Sequence, residues 1–142
     1  MVKTVILILY AVCAFSGCDF AQKNQKQASA PENMKQQWGI QITAIRLTAS
    51  GYMLDFRYRV TDPQKALPIL RPEARAYILH EKSGIKLPVP DTQFGRLRQK
   101  TLKPEANRQY CVVFSTPQGL VSRGDKVSVV IGDFKAEHLN VE

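Results

Sequence analysis

The feature that most constrains this chain is a stretch of strict alternation at residues 52–60. Tyr52, Leu54, Phe56, Tyr58 and Val60 interleave with Met53, Asp55, Arg57 and Arg59. Successive side chains of an extended strand point to opposite faces, so period two writes one apolar face and one wet face into a single segment. Such a strand needs a second layer from elsewhere in the chain to cover its apolar side.

The segments after Trp38 offer that layer. Trp38, Ile40 and Ile42 begin another alternating stretch, while Ile45 and Leu47 fall on the opposite parity, which predicts a β-bulge near Thr43 or Ala44. Ser50-Gly51 reads as a tight hairpin turn, making these first two strands antiparallel neighbours. Thr61-Asp62-Pro63 stops the second strand, and Pro63, Pro68 and Pro72 make the next stretch irregular or briefly helical. A third strand over 74–81, a turn at Lys82-Ser83-Gly84 and alternation of Ile85, Leu87 and Val89 give a second hairpin. Residues 93–103 are basic and turn-rich, with room for a short edge strand; 109–116 and 126–131 are rich in β-formers, and 134–141 ends the chain after Gly132-Asp133.

With 142 residues, 44% apolar and 23% charged, the chain has the size and balance of one globular domain, which excludes collagen-like, coiled-coil and wholly disordered readings. Short strands spaced about ten residues apart, with Pro and Gly between them and no long amphipathic helix, predict an all-β architecture. We expect an antiparallel immunoglobulin-like β-sandwich, or a small barrel, over residues 38–142. No Cys-Trp-Cys framework accompanies it, so the expectation concerns architecture alone.

The N-terminus is of another kind. Lys3 precedes eleven uninterrupted apolar residues from Val5 to Phe15, too few for a bilayer span and suited to a secretory h-region. Phe15-Ser16-Gly17-Cys18 resembles the lipobox of bacterial lipoproteins, with Phe15 standing where an aliphatic residue is more usual. The resemblance implies that residues 1–17 are a signal peptide and that Cys18 is acylated and becomes the new N-terminus. Ordinary signal-peptidase cleavage, giving a soluble periplasmic protein, is the alternative. Asp19 directly after the lipidated position is similar to the enterobacterial signal for inner-membrane retention, which implies the periplasmic face of the inner membrane rather than the outer membrane. The strand-and-turn layout is likewise similar to domains that bacterial lipoproteins carry, a likeness that implies no activity.

Acylation would leave Cys111 as the one free thiol, since Cys13 lies in the leader and Cys18 is blocked. A small thiol within a β-rich segment is expected to pack as an apolar group. Residues 18–37 are expected to form the lipidated N-terminus and a flexible linker, poor in apolar groups and spanning roughly 25 Å as a coil. Lys23, Lys26 and Lys35 add positive charge to it.

Chemistry-bearing motifs are few. His80 and His138 lie far apart without closely spaced ligands; with Met53 and Cys111 they define an alternative, metal-handling reading. No G-x-S-x-G, H-E-x-x-H or S-x-x-K motif occurs, and Asp55, Asp62, Asp91 and Asp133 sit in turn or solvated-face contexts. Arg123-Gly124-Asp125 is ordinary turn composition. We therefore expect a non-enzymatic protein needing no cofactor.

The net charge of +8 is more informative in its distribution. Arg57 and Arg59 share the wet face of their strand, and Arg96, Arg98, Lys100 and Lys103 crowd one loop region. Together Arg57, Arg59, Arg96, Arg98 and Lys100 are the candidate anion-binding surface. An envelope location and the lack of interleaved aromatics argue against nucleic acid. The expected partners are the membrane through its lipid anchor, and a protein or anionic envelope polymer through the basic surface.

Overall fold

The computed structural model describes residues 30–142; the expected leader, Cys13 and Cys18 lie outside them. Strand β1 (Ile40–Thr48) pairs antiparallel with β2 (Met53–Val60). The register slips between Ile42 and Ala44, so Thr43 is the extra residue of the expected bulge. That slip returns Ile45 and Leu47 to the side of Ile40 and Ile42. The hairpin turns through Ala49, Ser50 and Gly51, all at positive φ, and closes with the Tyr52 N–H donating to the Ala49 carbonyl at 3.1 Å.

After β2 the chain enters helix α2 (Pro63–Leu70), preceded in sequence by α1 (Ala30–Trp38). Asp62 caps α2 by accepting from the Gln64 and Lys65 N–H groups at 3.0 and 3.4 Å, and Pro63 occupies the first turn, where a missing N–H costs nothing. Strands β3 (Ala76–His80) and β4 (Ile85–Pro88) form the second hairpin, and β5 (Asp91–Thr92) and β6 (Gly95–Arg96) a small third one. Strands β7 (Gln109–Ser115), β8 (Lys126–Ile131) and β9 (Phe134–Asn140) complete the order.

The sheets run β1-β2-β7 and β4-β3-β8-β9, every pairing antiparallel. Between them lies one core: Leu54, Phe56, Tyr58 and Val60 of β2 are buried with Val112 and Phe114 of β7, Ile78 of β3, and Val127, Val129 and Ile131 of β8. The expected all-β sandwich is what forms, without closing into a barrel.

Both edges of the β1-β2-β7 sheet meet other parts of the chain. Residues 97–99 lie along β7, with the Val113 N–H donating to the Leu97 carbonyl at 2.9 Å and the Gln99 N–H to the Cys111 carbonyl at 3.1 Å. On the opposite edge, Glu142 exchanges backbone bonds with Ile45 and Leu47 of β1 at 2.9 and 3.1 Å. Part of each otherwise unpaired row of backbone donors and acceptors is thereby engaged.

One segment departs from expectation. Residues 30–37, expected within the flexible linker, form α1 with Trp38. Met34 and Trp38, one turn apart, pack against the core, and the Trp38 ring meets Phe134 edge-on at 5.6 Å. Two well-placed apolar residues suffice because the sandwich supplies the other half of the contact. Gly39 ends the helix at φ 61°, and its carbonyl accepts from the Thr61 and Asp62 N–H groups at 2.7 and 3.0 Å. Lys65 of α2 donates to the Gln36 carbonyl at 2.9 Å, stitching the two helices together.

A Cβ at Gly39 would sit 2.5 Å from the Asp62 carbonyl oxygen and 2.8 Å from the Asp62 Cβ. Gly39→Ala is therefore expected to destabilise the fold by about 2 kcal/mol or more, from the left-handed backbone and the clash together. A denaturant midpoint equal to that of the parent would disprove this.

Candidate functional site

Because residues 97–99 run extended beside β7, neighbouring side chains go to opposite faces. Gln99 turns outward and accepts from the Cys111 N–H at 2.9 Å. Arg98 turns inward, beneath the end of α2. Its guanidinium donates to the carbonyls of Ala74 and Ile69, and to that of Arg71 at 3.4 Å. The last carbonyls of a helix lack intrahelical donors, and a cation there also complements the helix dipole. Burial pulls the Arg98 pKa below its ordinary value, and the nearby charge of Arg96 pulls the same way.

Arg98 forms part of a cavity of about 330 Å³ between the start of β3, the end of β4 and β6. Arg75 and Arg96 join it at the rim, and Tyr77, Pro88 and Val89 furnish an apolar wall. None of the residues lining the cavity is acidic. Arg96 Nε lies 3.7 Å from Asp91 Oδ1, but both side chains are largely exposed, so that pair is weak.

The other expected residues lie elsewhere. Arg57 and Arg59 are on the outer face of the β1-β2-β7 sheet; Arg57 Nε bonds Asp55 Oδ2 at 2.7 Å, and Arg59 stands between Gln41 and Gln109 in register. Arg57 shares a shallow depression of about 360 Å³ with Gln99, Gln109, Tyr110 and Cys111. Lys100 is exposed beyond Gln99. The candidate surface is thus divided: Arg96 and Arg98 meet in one cavity, Arg57 lines another, and Arg75 and Tyr77 are additions. Arg75 lies just before β3, far in sequence from the conspicuous basic loop, so only the fold brings it to Arg96 and Arg98.

Cys111 is half-buried, and burial pushes its thiol pKa up, which disfavours the nucleophilic thiolate. Met53 lies opposite Ser115 and Cys111 opposite Arg57 in the same register, while the histidines belong to the other sheet. Among the described residues no group of three or more His, Cys, Asp and Glu side chains could hold a metal ion.

Each histidine instead has a local role. His80 is buried, with Nδ1 2.8 Å from Ser83 Oγ and Nε2 3.3 Å from Asp125 Oδ2. The order Ser–His–Asp invites comparison with a nucleophilic triad. Here, however, Ser83 Oγ also accepts from the Ile85 N–H at 3.3 Å, and Asp125 Oδ2 accepts from the Ser122 N–H at 2.8 Å. Both partners of the ring hold turns, so His80 bolts the β3–β4 turn to the one preceding β8. His138 sits in a bulge of β9 at φ 58°, opposite Ser128. Glu81 gathers that bulge: Oε1 accepts from Ser128 Oγ at 2.8 Å and the His138 N–H at 2.9 Å, and Oε2 lies 3.0 Å from His138 Nδ1.

No family model, curated protein or solved structure matches this chain.

Two outcomes follow from these contacts. Arg98→Ala strands the carbonyls at the end of α2 and is expected to cost about 2 kcal/mol, read from chemical denaturation. The hydrogen bond from Ser128, followed by those from His138, holds the Glu81 carboxyl down to about 2 from an ordinary 4.5. The anion therefore stabilises the fold fully above 4.5, and this contribution disappears as pH falls towards 2. Glu81→Gln should lower Tm at neutral pH and flatten its dependence on pH across that window; an unchanged slope in thermal scans would refute the assignment.

Proposed function

We propose that this chain is a lipid-anchored, non-enzymatic binding module of the bacterial envelope. In this reading Cys18 carries the acyl chains, the periplasmic face of the inner membrane holds the protein, and the sandwich presents cationic surface to an anionic partner. The observation that carries the binding role is the convergence of Arg75, Arg96 and Arg98 on one cavity with no acidic lining residue. A half-buried guanidinium without a carboxylate partner is costly to maintain, and an anion lowers that cost. Nucleic acid is the wrong anion for this compartment. The lipobox resemblance at Ser16, Gly17 and Cys18 supports the anchor. Diacylation stabilises membrane residence, at about 0.8 kcal/mol per buried CH₂ group.

Intact mass of the protein extracted from membranes tests the anchoring. The expected species begins at Cys18 and carries a diacylglyceryl group, whereas Cys18→Ala accumulates with its leader attached. Full-length unmodified chain, free in the cytosol, would overturn the proposal.

A further inference from the structure

The β5–β6 hairpin beside the arginine cavity carries an unusual side chain at its tip. Phe94 is 91% exposed. A lone exposed apolar group is ordinary on a protein surface and gains meaning only when the local structure holds it out beside a second binding feature. Here it does: Thr92 Oγ1 accepts from the Phe94 N–H at 3.2 Å and donates to the Gly95 carbonyl at 2.6 Å, and Gly95 supplies a turn residue at φ 95°. The ring is thus presented by a hydrogen-bonded turn.

Two residues further along the same hairpin, Arg96 enters the cavity where Arg75 and Arg98 also lie. Arg98 is fixed by three backbone carbonyls, so it loses little freedom when it meets an anion. Its Nη groups are engaged by those carbonyls and its Nε–H is shielded from solvent, so Arg98 contributes mainly charge beneath the seat while the exposed Arg75 and Arg96 supply the free donors. Guanidinium groups match phosphate oxygens in shape and charge. At about 330 Å³ the cavity is at the small end for ligand pockets, which run from about 300 to 1,000 Å³, so it suits a headgroup and not acyl chains. An aromatic side chain next to a phosphate seat reproduces the arrangement of interfacial anchors, with the ring at the acyl boundary and cations at headgroup level.

We propose that the β5–β6 hairpin is a membrane-docking element, in which Arg75, Arg96 and Arg98 seat the phosphate of an anionic phospholipid while Phe94 enters the headgroup–acyl boundary. This rests on the reading of the chain as a membrane-tethered module. It adds a second, reversible contact that turns a defined face of the sandwich to the bilayer. Each exposed arginine near an anionic surface contributes about fivefold in binding.

The test uses the full chain, purified from membranes in detergent and reconstituted into vesicles of phosphatidylglycerol or of phosphatidylcholine. Phe94→Trp adds a fluorophore to the half-buried Trp38, and the parent chain gives the signal to subtract. On phosphatidylglycerol the added indole should shift to shorter wavelength and be quenched by brominated acyl chains. Both effects should be lost on phosphatidylcholine and in Phe94→Trp combined with Arg75→Gln and Arg96→Gln. Neither arginine side chain holds the fold together, and an unchanged circular-dichroism spectrum is the check that this variant is folded. An unquenched indole in vesicles that still carry the protein, or equal quenching on both lipids, would overturn the docking while leaving the tether intact. Protein that fails to float with either vesicle would overturn the tethered reading on which it rests.

Discussion

Burial of one face of β2 is the constraint from which the architecture follows. Leu54, Phe56, Tyr58 and Val60 are all removed from water, yet the three strands of their own sheet can only extend that face sideways. A second layer is needed, and β3 and β8 provide it with Ile78, Val127, Val129 and Ile131. At about 25 cal/mol per Å² of apolar surface, it is this face-to-face burial that offsets the ordering of the chain. The helices and turns fit around that pairing. α2 fills one end with Ala66, Ile69 and Leu70, and α1 lays Met34 and Trp38 against the assembled core.

The polar interactions then decide how the loops are aimed. Arg98 joins the end of α2 to the strip beside β7; His80 and Asp125 join two turns; Glu81 holds the β9 bulge. Each spans a long sequence separation and fixes a loop that would otherwise fray. The Arg98 contact also brings a cation under cover without an acid to match it. The stabilising clamp and the candidate recognition cavity therefore depend on the same side chain, so that stability and anion affinity cannot be tuned independently there.

Much of the sandwich was legible because strands report themselves locally. The alternation at 52–60 became β2, the parity change around Thr43 became a bulge, and the stretches around 74–81, 109–116, 126–131 and 134–141 became β3, β7, β8 and β9. α1 was not legible, because Met34 and Trp38 acquire their role from a surface assembled by residues far along the chain. The candidate site was only half visible. A cluster of arginines in sequence does not say which side chains turn inward, and the alternation of Arg98 with Gln99 depends on pairing to β7. Arg75 joins Arg96 and Arg98 only through tertiary proximity, and Phe94 is conspicuous only once its exposure is known.

The junction at Gly39 has a mechanical consequence. α1 is the first described element of the chain and meets the body through Met34, Trp38 and the bonds at Gly39. Tension applied from the N-terminal side is borne by that short helix before any strand is loaded. Because α1 shares no ladder hydrogen bonds with either sheet, its detachment would leave both ladders in place.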